Sequence, residues 1–505
     1  MKIFSSIVIL VCILSGKIGA QNEQDLLRYS QNNLFGTARV QSLGGAFGSI
    51  GADFGGIAIN PANIAFFRRN EITGSAAITA YKNDSRYIGN NSSDSRTNFN
   101  IPQLGIVFSK VNQDLGKDAK HEIVSFSFAA GVTRINDYQQ NINFIGNNTK
   151  SSITDMFAQQ LQGNNFNSIG NDFAINFPPA MAWKMYLIDT IGSNNTYASW
   201  FQKTNDSVFT INQKQLSENR GRLNEWNISA GLNVGNTLYL GGSAIFQNAY
   251  FESTSTFSEN VLSKSQLLNQ YQSMELKSNS ITSGFGIGGR FGVIFRPIEF
   301  ARIGLSYTTP IRLNLSDEYY YSMKSNFVSS NLSYSTTTFD YQILTPAKIT
   351  ASVSLISNRF GFISIDYDVV NYKTAEFKKT TELQLLNAND AAKKYYTTAT
   401  NIRIGGEYRL KNMRFRGGYA MYGSPFNSNT SEIKETLASK NVTAGIGFIF
   451  PAVDKEGNDF FIDAAVVNSW GITYTTPYVV SGKTTYTSKN EFDFMNFMIT
   501  AGYRF

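Results

Sequence analysis

"GFGIGGRFGVIFR", residues 284–296, alternates from one residue to the next. One face carries Phe285, Ile287, Gly289, Phe291, Val293 and Phe295; the other carries Gly284, Gly286, Gly288, Arg290, Gly292 and Arg296. Successive side chains of a strand point to opposite faces, so this is a strand with one greasy side and one small or charged side. The pattern recurs. "NIRIGGEYRL" sets Ile402, Ile404, Tyr408 and Leu410 against Asn401, Arg403, Glu407 and Arg409. "MRFRGGYAMY" sets Met413, Phe415, Tyr419 and Met421 against Arg414, Arg416 and Gly418. "FISIDYDVV" sets Ile363, Ile365, Tyr367 and Val369 against Ser364, Asp366 and Asp368. Apolar-out, polar-in segments of about ten residues are the signature of a transmembrane barrel, whereas soluble strands average about six.

Working outward, strands are expected to start near Ile72, Phe99, His121, Gly221, Thr237, Ser280, Ala301, Ala347, Phe360, Thr398, Met413, Asn441, Phe460 and Glu491. The connections between them alternate. Ser357–Arg359, Lys411–Asn412 and Arg296–Phe300 are short; Asn136–Asn219, Tyr319–Asp340 and Lys373–Thr397 are long. Short inner turns and long outer loops are the rule for outer-membrane barrels. The chain ends on "FMNFMITAGYRF", with Met495, Phe497, Ile499, Ala501, Tyr503 and Phe505 on one face. A closing strand is needed because an open edge cannot sit in lipid, and a terminal aromatic is what barrel-assembly machinery reads. The expected fold class is therefore all-β: a transmembrane β-barrel of about 14 antiparallel strands.

The beginning of the chain fits that destination. Lys2, the apolar run Ile3–Leu14 and the small pair Gly19-Ala20 have the layout of a secretory signal peptide, expected to span residues 1–20. Its removal takes Cys12, the one cysteine, so no disulfide and no thiolate metal site is expected. The 44 basic and 37 acidic residues are interspersed, which argues against nucleic-acid binding. After the leader no run stays apolar for the roughly 18 residues that a membrane helix needs.

Between leader and barrel lies "GTARVQSLGGAFGSIGADFGGIAINPANIAF", residues 36–66, apolar and glycine-rich with no sustained period. A plug inside a barrel must turn tightly in little space, which calls for glycine and a proline-fixed turn. Asn60 before Pro61 can bond its own backbone there, and Asp53 can accept from plug amides or meet a lumenal arginine. Residues 21–71 are read as this hatch and 72–505 as the barrel with long extracellular loops. The segment resembles the N-terminal hatch of the FadL/TodX-type outer-membrane transporters of long-chain fatty acids and hydrocarbons. The matching positions are Gly36-Thr37-Ala38-Arg39, Gly44-Gly45-Ala46-Phe47, Asp53 and Asn60-Pro61-Ala62. "GLSYTTPIRL" (304–313), "LTPAKITASVSL" (344–355), "NIRIGGEYRL" and "RFRGGYAMYGSPF" (414–426) resemble barrel segments of that family, and "MAWKMYLID" (181–189) an outer-loop segment. The resemblance implies a fourteen-stranded barrel with Gly44, Gly45, Asp53, Asn60, Pro61 and Ala62 in a gating hatch.

Two groups of residues are candidates for ligand contacts. Asp366, Asp368, Arg403, Glu407, Arg409, Arg414 and Arg416 form a charged lumenal wall, able to hold the plug as an ion-pair network or to anchor a substrate carboxylate. In the long loop, Ser152 and Asp155 make a helix-capping pair ahead of Ile153, Met156, Phe157 and Leu161, and "FPPAMAWKMYLI" follows at 177–188. Met156, Phe157, Leu161, Phe177, Met181 and Trp183 either line an apolar groove or pack into a cap.

Enzyme signals fail. "GFGIGG" lies inside a strand, not at a strand-to-helix turn. Asp366 and Asp368 have a spacing that suits a glycosidase, but arginines surround them. His121 is the one histidine and stands near an expected turn, so a catalytic triad, a histidine metal cluster and a cofactor are not expected. The reading is an outer-membrane channel for passive uptake of hydrophobic small molecules, long-chain fatty acids first. Its partners are the apolar ligand, outer-membrane lipid and, through Phe505, the assembly machinery. The alternatives are a protein-interaction or secretion-system anchoring barrel and a haem-type receptor.

Overall fold

In the computed structural model, which describes residues 23–31, 36–112, 122–167, 169, 177–203, 209–262, 271–335, 338–357, 359–427, 438–451 and 458–505, the alternating segments are strands of one sheet. They are β1 (Glu71–Tyr87), β2 (Asn90–Val111), β3 (Ile123–Asp137, continued by Gln140–Asn148), β4 (Ile211–Val234) and β5 (Leu238–Val261). Then come β6 (Ser273–Ile298), β7 (Ala301–Thr308, continued by Arg312–Ser325), β8 (Phe339–Leu344, continued by Lys348–Ser357) and β9 (Gly361–Asn371, continued by Glu376–Lys378). The last are β10 (Thr398–Leu410), β11 (Met413–Tyr422), β12 (Ser439–Pro451), β13 (Asp459–Thr475) and β14 (Ser488–Arg504). Each pairs antiparallel with the next, and β1 pairs with β14 from Glu71↔Arg504 to Arg86↔Lys489, which closes a barrel of 14 strands among the described residues. The apolar faces read from sequence point outward: Ile303, Leu305, Ile363, Phe497 and Ile499 are each about half-exposed or more, a surface suited to lipid.

Three strands are longer than their apolar alternation suggests. The expected starts at Phe99, Gly221 and Ser280 fall well inside β2, β4 and β6. Their far ends carry polar residues on both faces because they stand clear of a bilayer, so nothing there distinguishes strand from loop by hydrophobicity. For the same reason the expected loop 136–219 shrinks to 149–210, since the continuation of β3 pairs with β4 from Gln140↔Asn219 to Asn148↔Ile211. The β1–β2 connection, at the long-loop end, is only Ile88-Gly89, against the expected alternation of lengths. The leader, Cys12 and His121 lie outside the described residues.

The motifs "YTTPIR" and "LTPAK" interrupt β7 and β8 side by side. Pro310 and Pro346 have no N–H for the ladder. Ile311 N–H instead donates to the Thr345 hydroxyl (3.0 Å), and Thr345 N–H to the Ile311 carbonyl (3.0 Å). The interruption shifts the side-chain parity, and a one-residue slip swaps the faces of a strand. Below it Ile303, Leu305 and Tyr307 face out; above it Ile311, Leu313 and Leu315 are buried inside, with Tyr341 and Ile343 of β8 beside them. That inward apolar patch seats a helix the sequence did not announce, α1 (Glu23–Ser30), whose Leu26, Leu27 and Tyr29 join the same cluster.

After α1 the chain makes α2 (Ala38–Gln41) and two 3-10 turns, Phe54–Ala58 and Pro61–Phe66, all inside the barrel. The wall meets them with glycines. A methyl group added at Gly418 would lie 2.2 Å from the Leu43 carbonyl carbon, at Gly405 2.4 Å from the Leu43 oxygen, and at Gly241 2.3 Å from the carbonyl carbon of Pro61. Backbone therefore packs on backbone, which only glycine permits. Gly418→Ala is expected to push the hatch off its seat while the barrel still forms. Ion conductance across a planar bilayer should rise with no change in the heat-modifiable gel mobility of the barrel.

Candidate functional site

The hatch is held by short-range caps and then clamped to the wall. Thr37 caps α2, accepting from Val40 N–H (3.3 Å), and its hydroxyl donates to Asp53 Oδ1 (2.7 Å). The same carboxylate oxygen accepts from Gly55 N–H (2.9 Å) and so starts the first 3-10 turn. Asn60 starts the second: its Oδ1 accepts from Ala62 N–H (3.0 Å), with Pro61 in the first position, where a missing N–H costs nothing. Asn60 Nδ2 donates back to the Gly48 carbonyl (2.7 Å), and Asn63 ties Phe47, Gly56 and Asn60 carbonyls together at 2.9–3.2 Å. Gly44 sits at φ +64° against the Tyr419 backbone, Gly45 against the Arg403 side chain, and Ala62 is buried beside Tyr239 and Ile294.

Asp366 of β9 makes the central clamp: one carboxylate oxygen accepts from both Phe47 N–H (3.0 Å) and Gly48 N–H (2.9 Å). Arg403 of β10 stands between Asp368 (2.6 Å) and Asp366 (3.6 Å), with Thr350 donating to Asp368 (2.8 Å). A second group gathers on Glu407, which meets Arg416 (2.8 Å), Arg409 (2.9 Å) and the hatch's own Arg39 (3.6 Å). Arg416 passes on to Asp463 of β13, and Arg39 reaches back to the Ala52 carbonyl (2.9 Å). The charged residues read from sequence thus fall into two sets, one around Asp366, Asp368 and Arg403 and one around Glu407, Arg409 and Arg416. Arg414 joins neither; it donates to the Lys411 and Met413 carbonyls at the β10–β11 turn. The sequence reading named Arg39 only as a hatch position and Arg290 only as an inward one, and did not name Asp463 or Glu225; Arg290 and Glu225 form a bidentate pair (2.8 and 3.1 Å). The inward phase of "FFIDAAVV" and "GFGIGGRFG" marks Asp463 and Arg290 by the rule that marked the others.

Above the hatch, a cavity of 510 Å³ lies between α1 and the inner wall of β10–β14. Leu27, Tyr372, Tyr422, Phe426, Ile472 and Phe492 supply apolar surface; Asn401, Thr473, Gln24 and Gln31 supply polar groups. A narrower pocket of 50 Å³ shares Tyr372, Asn401 and Tyr422 with it and leads down to Arg290, Lys348, Asp368 and Arg403. Arg403 and Arg290 are committed to carboxylates. The Lys348 side chain has neither a hydrogen bond nor an ion pair among the described residues, so it is the cation of this pocket open to an incoming anion.

The long-loop end is covered. Ser152 and Asp155 form the capping box of α3 (Ile153–Leu161). Phe157, Leu161 and Met181 are fully buried, with Met156 and Trp183 packed at the edge. This accounts for them as a packed cap over the barrel; α4 (Phe177–Lys184) begins at Phe177, whose side chain lies outside the described residues.

With this geometry the solved structures can be compared. A Pseudomonas aeruginosa FadL homologue matches with a TM-score of 0.54 at 12% identity, covering 94% of this chain and 99% of that one. The P. putida toluene transporter TodX matches with a TM-score of 0.52 at 13% identity, again covering 94% and 99%. The chain has the FadL/TodX-type fold. No protein-family model matches the sequence, and no curated protein matches it. In this FadL/TodX-type barrel the Asp366 clamp ties the hatch to the wall. Asp366→Ala leaves two buried amides without an acceptor and Arg403 with one carboxylate. The expected cost to hatch stability is roughly 3 kcal/mol, read as on the order of 100-fold faster hydrogen exchange at Phe47 and Gly48, with the barrel strands unchanged.

Proposed function

We propose that the protein is an outer-membrane channel that passes hydrophobic small molecules by passive diffusion, with the short-turn end in the periplasm and the capped end outside. The observation that carries this reading is the 510 Å³ cavity between α1 and the barrel wall, where aromatic and aliphatic side chains stand beside polar groups. Its size falls within the range of about 300–1,000 Å³ usual for small-molecule sites. TodX is a toluene transporter by its description, which agrees with an apolar cargo.

The finer reading is a carboxylated amphiphile such as a long-chain fatty acid. Its chain would lie against Leu27, Tyr422, Phe426 and Phe492, and its head group would reach Lys348 through the narrow pocket. Arg403 of the charged wall is the poorer anchor because Asp368 and Asp366 already hold it. For release, a sideways route fits at the β2–β3 seam. The ladder stops at Gln103↔Thr133. Beyond it side chains alone bridge the strands' continuations: Asn98 to Asp137 (3.4 Å), Arg96 to Asn141 (3.3 Å) and Asn141 to Asp94 (3.4 Å).

Mass spectrometry of organic extracts from the detergent-exchanged protein, beside an unrelated barrel, tests the first reading. An enriched apolar molecule supports it; no enrichment together with a stoichiometric protein partner favours an interaction platform. Lys348→Ala tests the second. It should weaken binding of a fluorescent fatty acid by about 10-fold, the worth of one charge-assisted bond, and leave the corresponding alcohol unaffected.

A further inference from the structure

The cap at the long-loop end is rooted on a buried carboxylate that has no cation beside it among the described residues. Glu259 stands near the far end of β5, 21 residues from Leu238. At about 3.3 Å per residue and a tilt of about 40°, that places it roughly 50 Å above the turn, well clear of an apolar band about 25 Å tall. Its side chain is 0% exposed. It accepts from Ile153 N–H at the start of α3 (2.9 Å), from Gln213 Nε2 of β4 (2.7 Å), from the Ser152 hydroxyl, and from the Tyr271 hydroxyl (3.4 Å). These bonds join the root of the 149–210 loop to β4, to β5 and to Tyr271, just ahead of β6.

Other charged and titratable groups stand close around it. Asp155 of α3 is also 0% exposed; it takes the Ser152 N–H (3.1 Å), the Ser199 hydroxyl and Lys483 (2.7 Å), the one cation in contact with it among the described residues. Tyr478 of the last outer loop accepts from Gln213 (2.6 Å) and donates to the Ser151 carbonyl (2.9 Å), and Tyr87 of β1 donates to Gln213 (2.8 Å). The three tyrosines are pushed above their ordinary range and stay neutral. Two carboxylates therefore share one lysine, and Glu259 is the one left without it.

We propose that Glu259 is a proton-operated latch that fastens the outer cap when it is neutral and loosens the cap when it is charged. A neutral carboxyl fits the site: the Ser152 and Tyr271 hydroxyls can turn to accept its proton, while Ile153 and Gln213 go on donating. The charged form keeps these donors but has no cation beside it among the described residues to offset its loss of water. Burial first, and then Asp155, push the carboxyl from its ordinary 4.5 up to about 7, against the pull of its hydrogen-bond donors. The sign follows from linkage. A raised value in the closed cap means that the latch's contribution is fully present below 4.5 and is lost as pH rises through about 7. The closed-to-open ratio should fall by on the order of 100-fold across that interval.

The test is hydrogen exchange of the α3 backbone in the detergent-solubilised full barrel from pH 5 to pH 9, corrected for intrinsic exchange. Wild type should lose protection as pH rises, by on the order of 100-fold, while Glu259→Gln, a stand-in for the neutral acid, should stay protected throughout. Asp155→Asn should keep a pH dependence with its midpoint moved down. A flat wild-type profile overturns the proposal. So does a profile unchanged in Glu259→Gln, or one abolished by Asp155→Asn alone, which would move the proton to Asp155.

Discussion

Backbone hydrogen bonding in a medium without water is the constraint from which the rest of this structure follows. In hydrocarbon every N–H and C=O needs a protein partner. A sheet meets that demand only when its first strand finds its last, as β1 finds β14 from Glu71 to Arg86. Closure creates a lumen, and a 14-stranded lumen is too wide for wall side chains alone to fill. The chain fills it with its own N-terminal segment. That segment is irregular backbone, so its N–H and C=O groups need partners: Asp366 and Thr500 on the wall accept from it, and Thr443 and Ser306 donate to it. The acceptor that is charged then needs a counter-charge, and Arg403 provides it. Closure, plug and charged wall are one consequence drawn out in steps.

Glycine has the complementary role. The hatch presses on the wall at Gly241, Gly405 and Gly418 because the two backbones leave no room for a Cβ. In sequence these glycines look like idle positions on the small face of an alternating strand. Their meaning depends on which hatch turn lies opposite, a contact between residues hundreds of positions apart.

The paired interruptions in β7 and β8 show how a local break redirects a face. Two prolines remove two donors, the parity slips, and Ile311, Leu313 and Ile343 turn from lipid to lumen. The patch this makes is what α1 covers, and one edge of the cavity follows from the helix. At the long-loop end the logic of burial is the same, but among the described residues the buried acids Glu259 and Asp155 have one lysine between them, Lys483. That end of the molecule answers to pH through Glu259 rather than to lipid.

The sequence by itself determined the class of structure. Period-two alternation over Phe285–Phe295 and its counterparts can satisfy one surface only, lipid outside and polar inside. The strand number, the closing strand at Phe505, the hatch segment and the inward phase of Asp366, Arg403 and Glu407 were all legible from it. Three things were decided only by the tertiary structure. The polar outer ends of β2, β4 and β6 carry no hydrophobic period, so their extent depends on pairing. The partition of the charged wall into two sets, with Arg414 outside both, depends on register between strands and on where Arg39 comes to rest. The choice of a packed cap for Phe157, Leu161 and Met181 depends on the tops of four strands and the last outer loop meeting in space. Alternation is a local property of the chain; register, burial and charge pairing exist only once distant segments are neighbours.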